Sequence, residues 1–397
     1  MTIQGVCDPR FDAVRQEFER NFQERGEVGA SVCVTLRGQT AVHLWGGTAR
    51  LDTDAPWTED TVSVVFSSTK GATALCAHIL ASRGLLDLDA PVARYWPAFA
   101  QAGKTEITVA MLLNHQAGLP ALRTPLPKGA FYDWELMVAA LEKEAPFWQP
   151  GTRNGYHGLT FGWLVGEVVR RVSGKSLGTF FQDEVAKPLG LDFWIGLPEQ
   201  MEARVAPMIP GEPDAKNPVF AAMADPTSVQ SLMFLNSGGY MSGPDYDSRA
   251  AHAAEIGGAG GITNARGLAG MYAPLACGGG ALVSHDALAR MAAVSSATGC
   301  DAVLLLPTRF ALGFMKTMDN RQVPLFRDSS AILSEDAFGH VGFGGSIGFA
   351  DPRAELSFGY TMNKMGTGVG LTERGQSLID AVYRVLGYQS NASGRWA

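Results

Sequence analysis

Val62–Lys70 reads VSVVFSSTK and runs directly into GATALCAHILASRG, residues 71–84. Val62, Val64, Val65 and Phe66 are β-branched or aromatic and form an extended entry, whereas Ala72, Leu75, Cys76, Ile79 and Leu80 recur at helical spacing until Gly84 stops the run. Ser67 and Lys70 therefore stand three apart at a helix start, on one face. A serine hydroxyl needs a neighbouring base to become a nucleophile, and a lysine amine serves only if burial or nearby cations suppress its charge. One helical turn would hold both groups, and the helix N-terminus would favour negative charge developing beside Ser67. The competing reading is a serine capping a core helix with Lys70 in solvent. This is the only Ser-x-x-Lys in the chain.

At 397 residues, 46% hydrophobic and 18% charged, the chain can bury a large core, and its length suits two lobes. Its net charge of −7, and the lack of any Lys/Arg run, argue against nucleic acid as a partner. The first 26 residues, MTIQGVCDPRFDAVRQEFERNFQERG, mix acids and bases without an apolar core, so they read as a helix rather than a secretory signal. No uncharged apolar stretch reaches the length of a membrane span, and a soluble, cytoplasmic protein is expected. The five cysteines are scattered and odd in number, which reads as reduced, mostly buried fillers. His-Glu-x-x-His, phosphate-loop and dinucleotide patterns are missing, and the glycine runs Gly257–Gly261 and Gly278–Gly280 fit none of them, so neither a cofactor nor a metal is indicated. A small molecule is the expected partner.

Residues 29–36 (GASVCVTL) and 40–46 (TAVHLWG) alternate around Arg37-Gly38-Gln39, a hairpin signature. From Leu85 to about Ala250 strand signals thin out, and helical patterns appear over 133–142 and 159–172. Strands return at 339–350 (GHVGFGGSIGFA) and 354–363 (AELSFGYTMN), turning at Asp351-Pro352-Arg353, before a closing helix over 371–386. The order predicts an α/β (α+β) fold: one antiparallel sheet assembled from both ends of the chain, flanked by helices, with a mainly helical lobe inserted. The lobes are drawn at 1–90 and 251–397 for the α/β part and 91–250 for the helical part.

Two Gly-x-Ser-x-Gly matches compete with Ser67, centred on Ser176 and Ser346. A nucleophile elbow needs a strand, a tight turn and a helix. Ser176 instead follows a predicted helix, and Ser346 lies within a predicted strand hairpin. A Ser176, Asp286 and His340 triad is the runner-up mechanism, and the lack of alternating parallel strands and helices counts against it.

Beyond Ser67 and Lys70 the chain carries Tyr156-His157-Gly158 and then His340-Val341-Gly342, with LLNHQAGLP from Leu112, SGKSLGTFF from Ser173, KPLGL from Lys187 and FGHVGFGGSIGFADP from Phe338. This order resembles the serine β-lactamase and penicillin-binding protein superfamily, and most closely the family VIII carboxylesterases, esterases on a class C-like β-lactamase fold. The resemblance implies Ser67 as the acylated nucleophile, Lys70 as its proton acceptor and Tyr156 as a proton shuttle between them and the leaving alcohol. A lysine ammonium beside Tyr156 would lower its pKa and ease that exchange. The resemblance also implies a strand at His340 and Gly342 lining the cleft, with the main-chain N–H of Phe343 completing an oxyanion hole with that of Ser67.

Where class C lactamases carry Tyr-x-Asn this chain has Gly158, and where they carry Lys-Thr-Gly it has a largely neutral His340. Both departures weaken recognition of an anionic β-lactam. The expected activity is a serine carboxylesterase acting on short- to medium-chain acyl esters. The alternatives are a class C-like β-lactamase, D-aminopeptidase or acyltransferase, or a non-catalytic penicillin-binding homologue. Phe131, Tyr132, Trp134, Phe147 and Trp148 are candidates to line an apolar pocket, with some of them core.

Overall fold

The computed structural model describes residues 2–212, 216–323 and 329–397. The early strands β1 (Gln4–Cys7), β2 (Gly29–Leu36), β3 (Gln39–Arg50) and β4 (Ala55–Pro56) belong to the main sheet. A smaller sheet is built from β5 (Ser63–Val64), β6 (Phe193–Ile195) and β7 (Gly261–Thr263), and β8 (Ser296–Thr298) pairs with β9 (Thr308–Phe310). The late strands β10 (Phe338–Val341), β11 (Ile347–Asp351) and β12 (Leu356–Met362) complete the main sheet in the order β1-β3-β2-β12-β11-β10. The join between the two ends of the chain is the antiparallel β2–β12 pairing, with Gly359 opposite Cys33.

The β2–β3 hairpin turns through Arg37 and Gly38, both at positive φ (53° and 74°), the conformation a two-residue hairpin needs to match strand twist. At the other predicted turn Asp351 Oδ1 accepts from the N–H groups of Arg353 and Ala354. β11 and β12 are buried at every residue and β2 at all but Leu36, as strands covered on both faces of a sheet must be.

The helix Thr69–Ser82 is buried from Thr69 to Leu80 and packs between the Phe161–Ser173 helix and β10. Its apolar character all round is what such a central position demands. The helix Ala265–Ala276 covers β2, β11 and β12. The first and last helices, Asp12–Glu24 and Glu373–Val385, pack on each other, and beside them buried Glu27 pairs with Arg374 at 2.7 Å and accepts from the Tyr360 hydroxyl. Between the two halves of the sheet lie the helices Val109–Leu113, Trp134–Lys143, Phe161–Ser173 and Leu177–Phe181.

Three expectations need correction. The amino-terminal segment is not one helix, because Gln4–Cys7 pairs with β3 before the helix starts at Asp12. The 339–350 segment is not one strand: it folds back at Gly344 and Gly345, whose φ of 90° and 118° only glycine adopts without strain. Of the free cysteines only Cys33 and Cys76 are buried, while Cys277 and Cys300 are exposed. Among the described residues no helix is long and apolar enough to cross a membrane.

Candidate active site

Strand β5 delivers the chain to a 3-10 turn, Phe66–Ser68, that passes into the Thr69–Ser82 helix. Phe66, immediately before Ser67, has φ +42°, a conformation a bulky side chain adopts only under constraint and one that clusters at functional sites. Its ring is held edge-on by Tyr246 and Phe343. The turn is also pinned by Thr69, whose hydroxyl donates to Phe66 O and accepts from Gly261 N–H.

Lys70 is fully buried, with Nζ 3.0 Å from Ser67 Oγ, 2.6 Å from Gly158 O and 2.7 Å from Gly258 O. Burial pulls its pKa well below the ordinary 10.5. An uncharged amine has two N–H bonds and one lone pair. With its hydrogens on the two carbonyls, the lone pair is left to face the Ser67 hydroxyl, which is the arrangement a general base requires.

Tyr156 lies in the irregular segment before the Phe161–Ser173 helix, its ring centroid 4.8 Å from Lys70 Nζ. Contrary to expectation its pKa is raised, because burial outweighs the hydrogen bond with Ser67 that pulls the other way. The sequence argument assumed a charged lysine beside the phenol; burial works against that charge and raises the phenol's own pKa. The segment is fixed on two sides: Tyr156 N–H donates to Asp301 Oδ1 (3.0 Å), and His157 N–H donates to His115 Nδ1 (3.1 Å).

Buried Asp301 also accepts from Val303 N–H, Leu304 N–H and Thr308 Oγ1, so it ties the tyrosine segment to β9. Burial raises its pKa against the pull of those donors. Asp301→Ala leaves several buried donors without a partner, and unfolding in urea should show a loss of about 2–4 kcal/mol. Asp301→Asn, which keeps one acceptor oxygen, should recover part of it.

His340 is buried on β10 with its ring 6.1 Å from that of Tyr156. Nδ1 bonds to Val341 O at 2.8 Å, while Nε2 has no partner among the described residues. Burial and Lys70 lower its pKa to about 3, so the ring is neutral, as expected. The β10–β11 turn is latched to the serine turn through Ser346, whose hydroxyl donates to Val65 O (2.9 Å) and meets Ser68 Oγ at 3.1 Å. Ser346 thus holds the site together from behind.

Ser67 and Tyr156 open onto a chamber of about 570 Å³ walled by Phe66, Met233, Phe234, Leu304, Met315 and Phe343. None of the five aromatics proposed from sequence lines it. Phe131 packs on Trp163, Trp134 bonds Glu167 and Arg123 covers Phe147, so these rings build the helical core. Met233 is the wall residue that sequence reasoning missed: a Cβ at Gly158 would meet its sulfur at 2.4 Å.

The alternative triad does not form. Ser176 caps the Leu177–Phe181 helix and donates to Glu255, Asp286 begins the helix His285–Ala292, and His340 bonds its own neighbour.

Comparison with known proteins follows this geometry. The Beta-lactamase family pattern matches residues 15–382. The esterase/β-lactamase LipL of Mycobacterium tuberculosis is 35% identical over 385 residues, covering 93% of this chain and 85% of its own length. The crystal structure of a family VIII carboxylesterase is 40% identical with a TM-score of 0.83, covering 97% of this chain and all (100%) of its own. A penicillin-binding protein homologue from Caulobacter crescentus is 34% identical with a TM-score of 0.85, over 97% of this chain and 100% of its own. Sheet order, the placement of the Ser67 turn and these matches along nearly the whole length agree, and the chain belongs to the β-lactamase family.

Proposed function

We propose that this protein is a serine carboxylesterase acting on short- to medium-chain acyl esters through an acyl-enzyme on Ser67. The observation that carries the reading is the 3.0 Å approach of a buried Lys70, its pKa well below 10.5, to Ser67 at the edge of an apolar chamber. Esterases of the same fold among its relatives support it.

Lys70 takes the Ser67 proton as Oγ bonds to the ester carbon. The oxyanion of the tetrahedral intermediate is stabilised by the main-chain N–H groups of Ser67 and Phe343. As the carbon–oxygen bond to the alcohol breaks, the proton passes from Lys70 through the Tyr156 hydroxyl to the departing oxygen. Because its pKa is raised, Tyr156 works as a neutral phenol that gives one proton while receiving another. Water then attacks the acyl group by the reverse route, its proton relayed to Lys70 and on to Ser67. Of the His340–Phe343 segment it is Val341 and Phe343 that line the chamber, whereas His340 and Gly342, expected from the sequence to face substrate, are not among its wall residues.

Among the described residues none of the wall residues is charged, and Lys70, which reaches Ser67 from behind, is spent on chemistry. A substrate carboxylate finds no cation there, which favours uncharged esters. The name of the Mycobacterium tuberculosis relative keeps β-lactam turnover as a second, slower reaction on the same serine.

Mass spectrometry after brief exposure to p-nitrophenyl butyrate or an alkyl phosphonate tests the proposal. An adduct on the peptide holding Ser67, a burst of nitrophenol and rates on esters above those on a cephalosporin or a D-amino-acid amide are expected. Undiminished hydrolysis by Ser67→Ala would refute it.

A further inference from the structure

Next to the chamber that holds Ser67 lies a second cavity of about 830 Å³, lined by Phe220, Met223, Leu235, Tyr246 and Met365. The two share Phe234, Met241 and Phe343. The Phe234 and Phe343 rings stand 6.4 Å apart at 52° and form the partition, and Phe343 in turn packs on Phe66 beside the nucleophile. Among the described residues none lining the second cavity is charged. Even the Tyr246 hydroxyl faces the Met365 sulfur, at 3.9 Å.

Three consecutive residues of the Val229–Leu235 helix span the whole path. Met233 walls the first chamber, Phe234 stands at the partition, and Leu235 lines the second, where it is 51% exposed. Leu235 thus extends the apolar lining of the second cavity to the surface.

We infer that the second cavity is a binding subsite for an extended apolar arm of the ester, entered from the Ser67 chamber between Phe234 and Phe343. The inference rests on the esterase reading and extends it to substrates with one arm too long for the first chamber. Each methylene of the arm that leaves water for this tract should raise kcat/KM roughly three- to fourfold.

The test is a chain-length series on the purified enzyme: p-nitrophenyl acetate to decanoate for the acyl side, and acetates of primary alcohols from ethanol to decanol for the alcohol side. In at least one series kcat/KM should climb beyond the four-carbon member. Met223→Trp and Leu235→Trp, which fill the second cavity from different sides, should each lower the octyl-to-acetyl or octyl-to-ethyl ratio in that series at least tenfold. The inference is overturned if neither series rises beyond four carbons, or if both variants keep the wild-type ratio within twofold. Absence of any turnover of p-nitrophenyl acetate would instead remove the esterase reading itself.

Discussion

Lys70→Ala should lower kcat/KM for p-nitrophenyl butyrate about a thousandfold, within the range by which a positioned general base accelerates a reaction. Lys70 serves acylation and deacylation alike, so the nitrophenol burst and the steady state behind it should both slow. The wild-type pH profile carries the sign of the same argument. Lys70 works uncharged, and burial holds its pKa well below 10.5. Activity should therefore fall as pH drops through the folded-state pKa, which lies well below 10.5. His340 stays neutral above about 3, and Tyr156 keeps its proton because its pKa is raised. A single acid limb is expected. It should be missing from the residual activity of Lys70→Ala.

Stability must follow the same group. Between the folded pKa of Lys70 and 10.5 the unfolded chain binds a proton that the native one does not, so native stability rises with pH across that window. Lys70→Met removes the titration. Its stability difference from the wild type should drift by about 1.4 kcal/mol per pH unit there. A constant difference across pH would mean that Lys70 is charged in the native protein, and the proposed base would be lost with it.

The part of this site legible in sequence was the part that is local. Ser67 and Lys70 share one helical turn, and the apolar run that follows announces a buried helix. Tyr156 and the His340 strand were legible only through resemblance, because the contacts that bring them to Ser67 join segments far apart in the chain. What holds the Lys70 amine in place was not legible at all. Its two carbonyl partners come from Gly158 and Gly258, and nothing in either neighbourhood signals a lysine. The Gly257–Gly261 run was visible but was weighed only as a phosphate loop. Its use is different: Thr73 donates to Gly257 O, Lys70 to Gly258 O, and Gly261 N–H binds Thr69, so the run laces onto the catalytic helix through its main chain. The tyrosine pKa was misjudged for the same reason. Spacing shows which groups are adjacent, whereas protonation depends on how completely the whole fold excludes water.

Gly342→Ala should cost a hundredfold or more in kcat, with little change in the amount of Ser67 adduct finally formed. Two motif positions away from His340, this glycine looks like a spacer in the sequence. In the structure a Cβ there would lie 2.1 Å from Val65 O and 2.2 Å from Ser346 Oγ. Both contacts are far inside van der Waals range, and Val65 is main chain that a strained Phe66 and the catalytic helix hold in place. The β10–β11 turn must give way instead. Its retreat breaks the Ser346 bond to Val65 O and, on the proposed oxyanion hole, would carry the Phe343 N–H away from Ser67. Loss of one oxyanion donor costs about a hundred- to a thousandfold. Ser346→Ala separates this from a simple packing defect. It removes the latch without adding bulk, leaves the glycine free to stay close, and should lower kcat by less than Gly342→Ala does. If Gly342→Ala folds with normal stability and turns over at the wild-type rate, the turn tolerates displacement and Phe343 N–H is no part of the oxyanion hole.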